Sequence, residues 1–94
     1  MLTWNVTYHC KPGQREAFYQ SICDLGVRDN SKAEEGNLRY DYFFAAEAPD
    51  DLLLVESWTE PAFQQAHCGT EIFSKLQELK AEFCEGVEIE KFTL

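Results

Sequence analysis

Residues 34–67, EEGNLRYDYFFAAEAPDDLLLVESWTEPAFQQAH, decide the fold. Leu38, Tyr40, Tyr42 and Phe44 alternate with Arg39, Asp41 and Phe43. Period two with aromatic side chains marks a strand, Leu38 to Ala46. Ala48-Pro49-Asp50-Asp51 is a turn. Leu52 to Thr59 is a second strand, apolar on nearly both faces, which suits a strand covered on both sides. Glu56 interrupts that pattern, and a carboxylate there costs free energy unless it is paired or hydrated. Thr59-Glu60-Pro61 then opens a helix that carries Phe63, Ala66 and His67 to Gly69.

Upstream, Leu2, Trp4, Val6, Tyr8 and Cys10 alternate with Thr3, Asn5, Thr7 and His9, a strand that Lys11-Pro12-Gly13 ends. Gln14 to Gly26 reads as a helix with Phe18, Ile22 and Leu25 on one stripe. Asp29 or Ser31 caps a short second helical turn before Gly36-Asn37 turns the chain. Downstream, Thr70 caps a helix from Glu71 to about Cys84, with Ile72, Leu76, Leu79 and Phe83 on its apolar stripe. Gly86 ends it, and Val87 to Leu94 is the last strand. The order β-α-β-β-α-β, with the second helix in two pieces, predicts an α+β, ferredoxin-like antiparallel sheet covered by helices on one face. Several strands have large apolar groups on both faces. The uncovered face therefore predicts a second sheet from another subunit, and so a homodimer.

The chain has 94 residues, enough for one domain over residues 1–94. A domain of this size buries only roughly 60–65% of its extended surface and gains from a partner. The net charge is −9, with only eight Lys and Arg, which argues against a nucleic-acid partner. No apolar run approaches the roughly 20 residues that span a bilayer, so no membrane partner is expected. The N-terminal MLTWNVTYH alternates and lacks a basic stretch, so it reads as a strand and not a signal peptide, and the expected location is the cytoplasm. Cys10, Cys23, Cys68 and Cys84 have no C-x-x-C spacing and read as buried or neutral thiols. His9-Cys10 and His67-Cys68 hint at a metal. Neighbouring strand residues point to opposite faces, however, and zinc wants three or four convergent ligands, so none is expected.

Glu34-Glu35-Gly36-Asn37, the tyrosine-bearing strand after it, Val55-Glu56-Ser57-Trp58 and the helix with His67 together resemble the antibiotic biosynthesis monooxygenase domain, and within it the small bacterial quinol monooxygenases. Gly36, Asn37, Tyr40, Glu56, Trp58, Ala62 and His67 match the family pattern. Glu35 stands where proline is usual. The resemblance implies a dimeric α+β barrel of two ferredoxin-like protomers packed sheet to sheet. It implies oxidation of a quinol or polyphenolic aromatic by O2, with no metal, flavin or haem. Other relatives are isomerases, so two alternatives stand beside this: a proton-transfer isomerase of a small carbonyl compound, and a non-enzymatic dimeric binding module.

His67 and Glu56 are the candidate catalytic residues. A phenol of pKa near 10 and a histidine near 6.5 differ by roughly 5 kcal/mol, so a base alone is insufficient. Donors must also stabilise the phenolate in a dry pocket. Asn5, Asn37, Tyr40, Tyr42 and the indole of Trp58 are the candidate substrate-binding groups. On its strand face Trp58 would wall an aromatic pocket, while Glu56 orients a donor or His67. The structural alternatives are a core tryptophan with its N–H bonded, a glutamate paired to Arg39 or a lysine, and a histidine bonded to backbone near Gly69.

Overall fold

The computed structural model describes residues 1–93. Leu94, expected at the end of the last strand, lies outside the described residues. The elements are β1 (Leu2–Cys10), α1 (Arg15–Asp24), α2 (Val27–Lys32), β2 (Asn37–Phe44), β3 (Asp51–Trp58), α3 (Pro61–Cys68), α4 (Glu71–Phe83) and β4 (Cys84–Thr93). The strands form one sheet in the order β2-β3-β1-β4, each neighbour antiparallel. This is the ferredoxin-like arrangement. No helix among the described residues is long and apolar enough to cross a membrane.

Alternation makes the core. Val6, Tyr8 and Cys10 of β1, Tyr40 of β2, and Leu52, Leu54 and Trp58 of β3 are buried against Phe18 and Ile22 of α1, Val27 of α2 and Leu76 of α4. Cross-strand partners share a face, so register fixes the rungs. Tyr40, Glu56, Trp4 and Lys91 make one rung on the helix side; Tyr42, Leu54, Val6 and Ile89 make the next.

Among the described residues the opposite face of the sheet has no helix. It carries Leu53 and Val55, with Phe43 and Phe92 exposed at 42% and 46%, among the polar Thr3, Asn5, Thr7, Glu88 and Glu90. Among the described residues the doubly apolar pattern read from the sequence thus holds for β3 and only in patches for its neighbours.

Several boundaries differ from the sequence reading. α1 stops at Asp24, and Leu25 is 42% exposed. Gly26, at φ +77°, reverses the chain, and Val27 takes the buried place that the helical stripe assigned to Leu25. Leu38 is 55% exposed because the β2–β3 register shifts between Asn37 and Arg39, which takes it off the face of Tyr40. Gly86 does not end the last helix. α4 runs directly into β4 at Cys84, which is extended and pairs with Cys10, while Lys11 N–H donates to the Phe83 carbonyl at 2.8 Å.

Candidate active site

Between the sheet and helices α3 and α4 lies a cavity of about 150 Å³. Trp4, Val6, Tyr8, Val87 and Ile89 form its sheet wall, and Phe73 faces them from α4. Glu56, Gln64, Cys68, Gln77 and Lys80 supply its polar groups.

Glu56 is the charge in this wall nearest the core. Period two puts it on the helix side of β3, and antiparallel register puts Trp4 and Tyr40 beside it. It is 5% exposed. Its Oε1 accepts the Trp58 indole N–H at 2.9 Å. Burial pushes the carboxyl above its ordinary range, and the bond from Trp58 and the nearby His67 only partly oppose this. Neither Arg39 nor a lysine pairs with it among the described residues; Arg39 bonds Asp41 instead, at 2.9 Å. Trp58 is fully buried with its N–H bonded, as a core tryptophan requires, and it also stands between Glu56 and His67.

His67 occupies different ground. Pro61 starts α3 and Gly69 ends it, and the helix turns His67 inward, 2% exposed. Its Nδ1 lies 2.5 Å from Oε1 and 3.1 Å from Oε2 of Glu34. A carboxylate only accepts, so Nδ1 carries a proton, and Nε2 lies 3.4 Å from the Tyr40 hydroxyl. The rings of Trp58, Phe73 and Tyr40 enclose it at 5.2, 5.3 and 5.4 Å. Thr70 bonds the His67 carbonyl at 2.7 Å, so the backbone contact near Gly69 exists, but the imidazole is not part of it. His67 and Glu34 border a second hollow of about 170 Å³ with Phe63, Ala66 and Thr70. The two residues singled out for catalysis therefore line different cavities, joined through the Trp58 ring. Glu34, not Glu56, orients the imidazole.

The structure does not gather the five substrate-binding candidates into one place. Asn5 pairs with Val55 and Glu90 on the helix-free face, away from both cavities. Asn37 spends its side-chain N–H groups on the carbonyls of Arg39 at 3.1 Å and Ser57 at 3.4 Å, where they brace the register shift. Tyr40 is 1% exposed, and burial followed by the nearby Glu56 raises its phenol. Tyr42 lines a third hollow with Tyr19, Phe44 and Leu52. Its hydroxyl is buried without a hydrogen bond among the described residues.

Three residues of interest were not singled out from the sequence: Glu34, Gln64 and Lys80. Glu34 stands at the head of the matching Glu34-Glu35-Gly36-Asn37 stretch, but its partner is 33 residues away. Phe73, Gln77 and Lys80 recur at i, i+4 and i+7, a stripe beside the stronger apolar one. Among the described residues no group of three His, Cys, Asp or Glu side chains converges as a metal site requires. The four cysteines are free; Cys10 and Cys84 approach to 3.9 Å between sulfurs.

The family model for antibiotic biosynthesis monooxygenases matches residues 1–79, which run from β1 through α3 into α4 and include Glu56, Trp58 and His67. The chain belongs to the antibiotic biosynthesis monooxygenase family. Solved structures agree in fold. A Nitrosomonas europaea protein that carries this family's name in its description superposes with a TM-score of 0.88 at 22% identity, over 99% of this chain and 97% of its own. A Pseudomonas aeruginosa protein gives 0.86 at 26%, over 97% and 90%. A Bacteroides thetaiotaomicron protein of unknown function, described as a possible oxidoreductase, gives 0.84 at 26%, over 97% and 94%. No curated protein matches the chain in sequence. Within the antibiotic biosynthesis monooxygenase family, then, this member has a buried carboxylate on an apolar cavity, backed by a tryptophan and a paired histidine.

Proposed function

We propose that this protein is a cofactor-independent monooxygenase that oxidises a small quinol or related polyphenol with O2. The observation that carries the reading is Glu56: a buried carboxylate, held by the Trp58 N–H on the wall of an apolar cavity, with its ionisation moved toward neutral pH. Glu56 takes the proton of a quinol hydroxyl. The electron-rich anion passes one electron to O2, and the radical pair combines at a ring carbon. The ring peroxide anion takes the proton back from Glu56, and the hydroperoxide so formed loses water. The quinol gains one ring oxygen and becomes a hydroxyquinone, and the second oxygen atom leaves as water. His67, fixed by Glu34, backs the Trp58 ring.

The protein works as a homodimer in this reading. A second copy covers the helix-free face, where Phe43, Leu53, Val55 and Phe92 lie. Light scattering at micromolar concentration should give twice the chain mass, and Phe43→Glu with Val55→Glu should give the monomer. A monomeric wild type removes the dimer.

Oxygen uptake by chelator-treated protein with a panel of reduced quinols tests the activity, after subtraction of autoxidation. Saturable uptake that Glu56→Gln abolishes supports it. Turnover of a carbonyl compound that persists without oxygen favours the isomerase, and binding without product in air favours the binding module.

A further inference from the structure

Proton transfer to Glu56 creates an oxyanion inside a largely apolar cavity, a costly charge unless donors meet it. The donors suggested by the sequence are engaged or elsewhere. The Trp58 N–H is on Glu56, Asn37 is on backbone carbonyls, and the Tyr40 hydroxyl faces His67. Asn5 is on the other face of the sheet, and Tyr42 borders a different hollow. Two neutral donors stay on the sheet side of the cavity, the Trp4 indole N–H, buried without a hydrogen bond among the described residues, and Tyr8; the cation on the wall comes from the stripe of α4 that starts at Phe73, with Gln77 and Lys80 one and two turns further on. Among the described residues the Lys80 ammonium makes no hydrogen bond and no ion pair.

We propose that Lys80 is a catalytic residue whose ammonium holds the oxyanion of the substrate while Glu56 takes the proton, with Gln77 as a second donor. The sheet wall thus supplies the base and the helix wall the counter-charge. This rests on the cavity being the substrate site, and it narrows the substrate. A cavity of about 150 Å³ takes one aromatic ring, as an engineered cavity of about that size takes benzene. The class is a single-ring phenol or quinol bound as its anion.

The test uses 4-nitrophenol, which is inert to air and absorbs differently as phenol and phenolate. It is titrated into the full-length protein carrying Glu56→Gln, so that the carboxylate does not compete. Bound 4-nitrophenol is expected to ionise about one to two pH units below the free probe, which is about 10–100-fold tighter binding of the phenolate. Adding Lys80→Met should remove that preference and Lys80→Arg should keep it. In the otherwise wild-type chain, Lys80→Met should lower kcat/KM for oxygen uptake at least about tenfold. Circular dichroism of Lys80→Met should match wild type, which separates a lost charge from a lost fold.

Failure of the probe to bind, or an ionisation indifferent to Lys80→Met, overturns the proposal. If wild type consumes no oxygen with any quinol, yet the probe ionises through Lys80, the oxygenase reading falls and the anion site stands. Oxygen uptake that Lys80→Met leaves intact sinks Lys80 alone.

Discussion

Glu56 and Glu34 are both carboxylates within reach of the Trp58–His67 stack, yet their surroundings differ. Glu34 is paired, at 2.5 Å, with an imidazole that is itself bonded to Tyr40. It closes a contact between the start of β2 and α3. Glu56 receives one neutral N–H and faces a cavity. A partly exposed acid with a matched partner serves to hold elements together, whereas a buried one left short of partners keeps free energy in reserve for a proton.

Removing Glu56 and removing the partner of Glu34 should therefore fail in different ways. Glu56→Gln keeps the shape and the bond from Trp58 but has no basic oxygen. It should lower the rate of oxygen uptake at least about 100-fold with no loss of melting temperature. His67→Ala leaves Glu34 and Tyr40 without their partner and opens a hole among three rings. It should cost about 3 kcal/mol, read as a fall in melting temperature of more than about 10 °C. If His67→Ala melts like wild type while its rate collapses, the division of labour is wrong.

A smaller effect tests the same contact through the backbone. Gly36 has φ +79°, and a Cβ there would overlap the Phe63 ring of α3. Gly36→Ala should cost about 2 kcal/mol from backbone strain and displacement of Phe63, measured by denaturant unfolding. A neutral outcome would mean that α3 is seated by other contacts.

The smallest effect is a slope. Burial raises the Glu56 carboxyl in the folded chain above its unfolded value, so the folded state holds its proton to higher pH. Stability should fall as pH rises from the ordinary carboxylate range through the raised folded value, and stay lower above it. Glu56→Gln should remove that component of the slope and be the more stable protein at neutral pH. A slope unchanged by the substitution would show that Glu56 is not strained by burial.

Much of this was legible in the chain alone. Alternation placed Glu56 and Trp58 on one strand face, and the β-α-β-β-α-β order set the sheet. Local periodicity encodes which side a residue faces, because strand and helix repeats are properties of neighbouring residues. What a residue meets there is set by register and by contacts across long separations. The bulge at Leu38, the pairing of Glu34 with His67, the placing of Asn5 on the far face, and the approach of Lys80 to the wall opposite Glu56 all came from tertiary structure. The sequence determined the sheet, its helix-covered side and a carboxylate facing inward. Only the packed fold decided which carboxylate would be paired and which would be left to a substrate, since that depends on partners brought from distant parts of the chain.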